Sequence, residues 1–464
     1  MPHSIEDYLA VHGPATAKAL QAHTGMSQAA VSRRLKALGN RIVRISIGRT
    51  PYYALARSAF TPDVEIPLIR VDAYGNSESI AGIVPLAHGG FFVRLMPGAP
   101  RVLMGLSQNG LYDGLPWFLD DMRPQGFIGR RIAEQLAAGP GGFPPDPRLW
   151  NSDQVLDYLL AAGDDLPGNL ECGDRARIRI RRKPESADDT DYPALADEVM
   201  GGYVPSSSAG GEQPKFTIFN RSQQAHVIVK FTSRDDNAVA ERWRDILVTE
   251  YHAAKILGES SAARTRLLEA DGRLFLESRR FDRHEEYGRL SMFSLQALDN
   301  EFAGTGASWP EIMLALHEKG LVSWKDTLDA ARLFLFGRLI NNTDMHPGNL
   351  SLAMEGNVFR LLPAYDMCSM GFAPRANGEL PPFAFKPSFV SVLKGAADFS
   401  GKDERDMRRL VLETATRFWD TIAGDNRISP AFRKFLNVNP VRVILPVMSG
   451  HRVKHVEVLQ TPWD

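Results

Sequence analysis

The nearly continuous apolar run from Leu328 to Ile340 leads straight into Asn341-Asn342-Thr343-Asp344-Met345-His346-Pro347-Gly348-Asn349. Such a run predicts a buried helix, and the Pro-Gly pair forces it into a loop, since proline cannot continue a helix and glycine favours a turn. Beyond the loop, Leu350 to Met354 and Val358 to Leu362 read as two strands around a turn at Glu355-Gly356-Asn357, and Asp366 follows. Buried helix, polar loop, hairpin and acid in this order restrict the fold severely. The helix needs a helical body to cover it, and the hairpin holds two polar clusters on either side of itself.

A chain of 464 residues exceeds one ordinary core, so two or three domains are expected. Hydrophobic residues at 44% and charged residues at 23% match a globular protein and exclude a disordered or fibrous one. Cys172 and Cys368 stand nearly two hundred positions apart, which gives neither a disulfide framework nor a zinc-ligand cluster and fits a reducing cytoplasm. Met1 to Tyr8 contain Glu6 and Asp7 instead of a basic start with an apolar stretch, and no uninterrupted apolar run is long enough to cross a bilayer. A soluble cytoplasmic protein without a membrane partner is expected.

The total charge of -1 is unevenly spread. Residues 1 to 57 hold eight Lys or Arg against Glu6 and Asp7, a local charge of +6, which leaves -7 for the remainder. Thr16 to Ala22 reads as a helix, Thr24-Gly25-Met26 as a turn, and Ser27 to Leu38 as a second helix with Ser27 at its N-cap. Val31, Leu35 and Leu38 would face inward, while Gln28, Ser32, Arg33, Arg34 and Lys36 remain for base edges and phosphates. Ile42 to Leu55 follows as two strands around Gly48-Arg49-Thr50, the hairpin of a winged helix. Outward polar residues, a wing and local positive charge together favour double-stranded DNA as a partner over a three-helix interaction module with a solvated basic face.

Thr61-Pro62 and Ile66-Pro67 predict a linker, with loop-rich structure to residue 150. Asp174 to Lys183 alternates arginine with Ala176, Ile178 and Ile180, which predicts an edge strand with Arg175, Arg177, Arg179 and Arg181 on one face. Phosphate or RNA contact is the other reading of that stripe. Residues 184 to 191, PESADDTD, read as a disordered or exposed loop.

Ser206 to Lys215, SSSAGGEQPK, precedes the strands Phe216 to Phe219 and His226 to Phe231. Glycines let backbone amides approach an anion, so the loop can cover phosphates, although many glycine turns bind nothing. Lys230 closes the apolar strand VIVK and needs an anionic partner. Trp243, Leu247, Glu250, Ala254 and Leu257 recur at helical steps, which places Glu250 on an apolar stripe. The two are either a structural ion pair or the phosphate-positioning pair of a kinase lobe. Phosphoryl transfer needs a carboxylate at the acceptor hydroxyl and oxygen ligands that hold magnesium. Asp344 suits the first role; Asn349 and Asp366 suit the second, and His346 reads as a loop organiser. The order from the glycine loop to Asp366 is that of a kinase, against the alternative that Asp344 and Asn349 merely form turns.

The motifs SAGGEQPKF, VIVKF, RRFDR at 279 to 283, NTDMHPGNLSL and LLPAYDM resemble the HipA family of serine/threonine kinases, from about residue 65 to the C-terminus. The resemblance implies an α+β fold: an N-terminal winged helix (1–60), then a two-lobed HipA-like, protein/phosphatidylinositol kinase-like body with lobes at 61–282 and 283–464. It implies ATP and Mg2+ as cofactors and assigns Gly210, Gly211, Glu212, Gln213, Pro214 and Lys215 to the phosphate loop. Lys230, paired with Glu250, becomes the phosphate-binding lysine, and Arg279, Arg280 and Phe281 the adenine-side hinge. Asp344 becomes the catalytic residue, and His346, Pro347, Gly348 and Asn349 the nucleotide-facing loop. Asp366 becomes the metal ligand, with Tyr365 beside it. Ser208, with Ser206 and Ser207 as competitors, corresponds to a serine that the family autophosphorylates. The implied partners are a protein substrate, such as an aminoacyl-tRNA synthetase or another translation factor, and a second copy of the chain.

Two departures stand out. The family's hinge usually has an acidic residue where Arg279 stands, and HipA-type toxins commonly pair with a separate helix-turn-helix antitoxin, whereas this chain carries its own. Three rivals to an autoregulated toxin kinase remain: a transcription factor that senses a nucleotide, a small-molecule kinase, and a DNA-cleaving toxin with metal at Asp344 and Asp366.

Overall fold

A computed structural model describes residues 4–58, 60, 64–139, 141–162, 165–201, 213–375, 377–385 and 401–438. The chain divides into two compact units. The first comprises Met1–Ile228, Arg280–Gly304 and Leu352–Arg360; the second comprises Val229–Arg279, Thr305–Ser351 and Leu361–Asp464.

The first unit begins with helices Ile5–His12, Ala17–Thr24 and Gln28–Ala37, each started by a side-chain cap from Ser4, Thr16 and Ser27. The second helix ends at Gly25 with φ 69°, a left-handed cap that favours glycine. Ile5, Leu9, Leu20, Val31, Leu35 and Leu55 fill the core of this module. Strands Ile42–Ile47 and Thr50–Leu55 pair antiparallel, as the alternation predicts, and the short strand Ala15–Thr16 joins them.

The hairpin is not tethered by a free linker. Val43, Ile45, Ala54 and Ala56 are buried in one cluster with Val84, Leu86 and Phe92 of the next sheet. Ala87 N donates to Leu55 O at 2.8 Å, and Arg57 binds Asp153 through two hydrogen bonds at 2.8 and 2.5 Å. Ile66 and Pro67 already belong to strand Ile66–Val71, so the predicted linker ends sooner than expected. The stretch read as loop-rich contains most of an antiparallel sheet in the order Leu111–Tyr112, Phe91–Leu95, Ser77–Pro85, Ile66–Val71 and Leu170–Cys172.

Two local expectations are corrected. Asp174 to Lys183 is not a strand: Ala176–Arg179 forms a helical turn, because Ala176 and Ile180, four apart, pack on Ile69 and Val71. Arg179 is buried, donating to Glu171 at 3.0 Å and to the carbonyls of Leu159, Leu160 and Cys172. Arg175, Arg177 and Arg181 stay exposed. Residues 184–191 are likewise ordered: Ser186–Ala187 pairs parallel with Phe219 and Asn220, and Arg221 binds Asp188 and Asp191.

The strand Ala225–Phe231 passes from the first unit into the second at Ile228 and Val229. Within the second unit, strands Thr265–Ala270 and Arg273–Arg279 pair antiparallel beside helix Ala238–Leu257. Helices Trp309–Glu318, Trp324–Leu339, Gly401–Gly424 and Pro430–Val438 form its helical body. The apolar run at 328–340 is buried there: Ala330, Leu333, Phe336 and Leu339 are covered, and Trp419 Nε1 donates to Leu339 O at 3.1 Å. Among the described residues no helix is long and apolar enough to cross a membrane.

Candidate catalytic site

In the second unit, Lys230 is buried beside Val229 and Phe231 at the end of its strand. Its ammonium donates to Glu250 Oε1 at 2.5 Å and to Asp366 Oδ1 at 2.6 Å. Burial alone would lower the lysine pKa, but Asp366 and Glu250 outweigh it and push the group upward, so Lys230 stays charged. Glu250 is 4% exposed on the inner face of helix Ala238–Leu257, as the stripe predicts. Cys368 lies nearby, and its thiol is pushed well up by burial and by Glu250, which keeps it neutral.

The loop after helix Trp324–Leu339 is organised by its own amides. Asn342 is 2% exposed; its Oδ1 accepts from Asp344 N at 3.0 Å and its Nδ2 donates to Asp366 O at 3.3 Å. One buried amide thereby joins the Asp344 loop to Asp366, a role sequence reasoning missed because it gave Asn342 no part beside Asp344, Asn349 and Asp366. Asn349 Nδ2 donates to Asp344 O at 2.8 Å and to Oδ2 at 3.3 Å. His346 Nδ1 accepts from Gly348 N at 3.1 Å, as expected of a loop organiser. Trp309 Nε1 donates to His346 O at 2.9 Å, a support that no local motif announces. Tyr365 Oη donates to Gly348 O at 3.0 Å, bracing the loop from the side of Asp366.

Asn341 and Asp366 have φ of 62° and 54°. Left-handed backbone is uncommon outside glycine, costs on the order of 1 kcal/mol or more, and clusters at functional sites. It marks the two ends of this constellation. The Asp344 side chain is 47% exposed and that of Asp366 26%, so both carboxylates are open to solvent while Lys230 and Glu250 are not.

The structure therefore brings together Lys230, Glu250, Asp344, His346, Pro347, Gly348, Asn349, Tyr365 and Asp366. The other expected nucleotide residues fall elsewhere. Gln213, Pro214 and Lys215 belong to the first unit, where Lys215 is buried and Gln213 Nε2 is buried without a hydrogen-bond partner among the described residues. Arg280 is also in the first unit, buried, with its guanidinium bound to Asp165 at 2.6 Å and to Asp282 at 2.8 Å. Phe281 is partly buried beside it, and Arg279 is the exposed last residue of its strand in the second unit. Gly210, Gly211, Glu212, Ser206, Ser207 and Ser208 lie outside the described residues.

In the N-terminal module Gln28, Ser32, Arg33, Arg34 and Lys36 are all exposed on helix Gln28–Ala37. Arg34 is already engaged, donating to Glu6 of the first helix.

Residues 207–422 of this mixed α+β chain, which include the lysine–carboxylate cluster, match the HipA-like C-terminal domain. A chain of the Shewanella oneidensis MR-1 HipA, HipB and operator DNA complex shares the fold with a TM-score of 0.55, at 13% identity, covering 84% of this chain and 100% of that one. Residues 63–181 match the middle domain of YjjJ-like toxins. Toxin YjjJ of Escherichia coli (strain K12) is 36% identical over 449 residues, 94% of this chain and 96% of that protein. The chain belongs to the YjjJ-like toxin family.

Proposed function

We propose that this toxin-family member is an ATP- and Mg2+-dependent serine/threonine protein kinase that acts in the cytoplasm and binds duplex DNA through its N-terminal module. The observation that carries the reading is the buried Lys230 ammonium held at 2.5 Å from Glu250 and 2.6 Å from Asp366, with Asp344 and Asn349 on the adjoining loop. A lysine kept charged between two carboxylates is placed to bind phosphate oxygens.

The residues fit a nucleotide-bound divalent cation. Asp366 offers a carboxylate oxygen, and Asn349, which uses Nδ2 toward Asp344, offers its amide oxygen. Among the described residues no three His, Cys, Asp or Glu side chains could hold a metal by themselves, so phosphate oxygens would complete the shell. When bound, the cation would neutralise charge on the transferring phosphoryl group. Lys230 and Asn349 hold their partners in place, and Asp344, half-exposed and oriented by Asn349, accepts the proton of the acceptor hydroxyl. Arg280, committed to Asp165 and Asp282, acts in this reading by holding the backbone beside it.

The domain limits proposed with this reading are 1–60, 61–282 and 283–464. Exposed Gln28, Ser32, Arg33 and Lys36 on a capped helix support DNA contact by the first of them. The acceptor proposed is a serine or threonine of a cytoplasmic protein, a translation factor such as an aminoacyl-tRNA synthetase being the first to try, and Ser208 is the proposed site of self-modification. Wild-type protein and Asp344→Asn, each incubated with labelled ATP and Mg2+ and a cytoplasmic extract, test the reading. Label should enter protein only with the wild type, and nucleotide binding should survive in the variant. Equal labelling by both, or none by the wild type, defeats it.

A further inference from the structure

The helix that carries Glu250 has a second buried polar row. Arg242, Asp245 and Thr249 recur at i, i+3 and i+7, and all three are buried. Each reaches chain that follows Asp366. Thr249 Oγ1 accepts from Ser369 N at 3.1 Å, and Asp245 accepts from Ser429 N at 2.7 Å and Oγ at 2.6 Å. Arg242 Nη1 donates to Phe372 O at 2.8 Å and to Pro381 O at 3.0 Å, and its guanidinium lies 3.7 Å from the centroid of the Phe383 ring. Phe383 in turn stacks on Phe432 at 4.8 Å and 12°.

One nitrogen thus closes the chain between Phe372 and Pro381, while the plane of the same group covers an aromatic face. Buried carbonyls need donors, and only a planar, permanently charged guanidinium combines both contacts; a lysine ammonium has no face to stack. The segment so fixed starts directly after Asp366. We propose that Arg242 is a positioning residue for phosphoryl transfer: it holds Phe372, Pro381 and Phe383 against the Glu250 helix, so that Asp366 and the residues after it keep one arrangement. The proposal rests on the kinase reading above and assigns to it a residue that touches none of Lys230, Asp344 or Asp366 in the hydrogen bonds described.

The test is full-length Arg242→Lys and Arg242→Ala, assayed for phosphoryl transfer to the protein itself with Mg2+ and ATP and for hydrogen exchange in peptides covering 369–383. Arg242→Lys should lower kcat roughly 100-fold, the effect of misplacing reacting groups by about 1 Å, while KM for ATP stays within about twofold. Exchange should rise in 369–383, and added guanidinium at millimolar concentration should restore part of the rate to Arg242→Ala but none to Arg242→Lys. Phe383→Leu, which keeps the arginine and removes only its ring, should show the same pattern more weakly and serves if the Arg242 variants fail to fold. A wild-type rate in Arg242→Lys, a rise in KM for ATP with kcat kept, or unchanged exchange in 369–383 overturns the proposal. A wild-type protein that transfers no phosphate overturns the kinase reading instead, and exchange then decides the anchoring alone.

Discussion

Replacing Glu250 by Gln removes one negative charge from the site and almost no volume. Lys230 then keeps Asp366 at 2.6 Å as its only charged partner of the two. Stripping a buried charge of its sole partner costs about 3–5 kcal/mol. Here a second anion remains and the glutamine oxygen still accepts a hydrogen bond, so about 1–3 kcal/mol is expected. At roughly 2–4 °C per kcal/mol for a domain of this size, Tm should fall by about 2–12 °C. The Lys230 pKa is held above its ordinary value of 10.5, so the stabilisation is fully present below 10.5 and is lost only as pH rises through the higher folded value. The gap in Tm should therefore be constant from pH 7 to 9. Without Glu250 the ammonium is drawn more strongly to Asp366, the proposed metal ligand. If that competition reaches about 1.4 kcal/mol, half-saturation by Mg2+ rises about tenfold. Thermal unfolding and a transfer assay over a Mg2+ series measure both effects. A variant with unchanged Tm and unchanged Mg2+ dependence would refute the argument that Glu250 restrains the lysine.

In the N-terminal module, Arg33→Ala should weaken duplex DNA binding and reduce the salt slope by about 1, whereas Arg34→Ala, which loses an exposed pair with Glu6, should cost at most about 1 kcal/mol of stability and less affinity; anisotropy at several salt concentrations distinguishes them. Burial raises Asp245 from 3.8 to about 6, against the bonds from Ser429 that favour its charged form. The stability this gives is present below 3.8 and lost as pH rises through about 6, which weakens the native state by up to roughly 3 kcal/mol at neutral pH. Asp245→Asn should lack this component in denaturant unfolding between pH 4 and 8, and parallel curves for variant and wild type would count against it. Peptide mapping after incubation with Mg2+ and ATP should find phosphate on Ser206, Ser207 or Ser208 in wild type and none in Asp344→Asn; an unmodified segment in active protein would remove the self-modification proposal.

The elements that position the site were legible because each has a local signature. The apolar run at 328–340, the Pro-Gly loop, the Glu355–Asn357 turn and the lysine ending VIVK depend on neighbours within a few residues. The failures share a cause as well. Strict alternation from Arg175 to Arg181 satisfies a strand, but Ala176 and Ile180 also satisfy a helical turn, and the choice was made by Ile69 and Val71 a hundred residues away. Arg179 looked like one of four surface arginines because its partners are Glu171 and three carbonyls, and carbonyls belong to every residue alike.

The same physics separates the charged residues of the site from those that hold them. Lys230, Glu250 and Asp366 find each other by charge, and a charge in an apolar setting announces in the sequence that a partner exists. Arg242, Asn342 and Trp309 act on main-chain groups of residues 372, 381, 366 and 346, whose side chains need have no particular chemistry. Nothing in an amino-acid sequence distinguishes a carbonyl that will be met by an arginine from one that will be met by water. The charged cluster was therefore readable from residue types, while the contacts that hold it became visible only once chain segments more than a hundred residues apart, such as Arg242 and Phe372, were placed side by side.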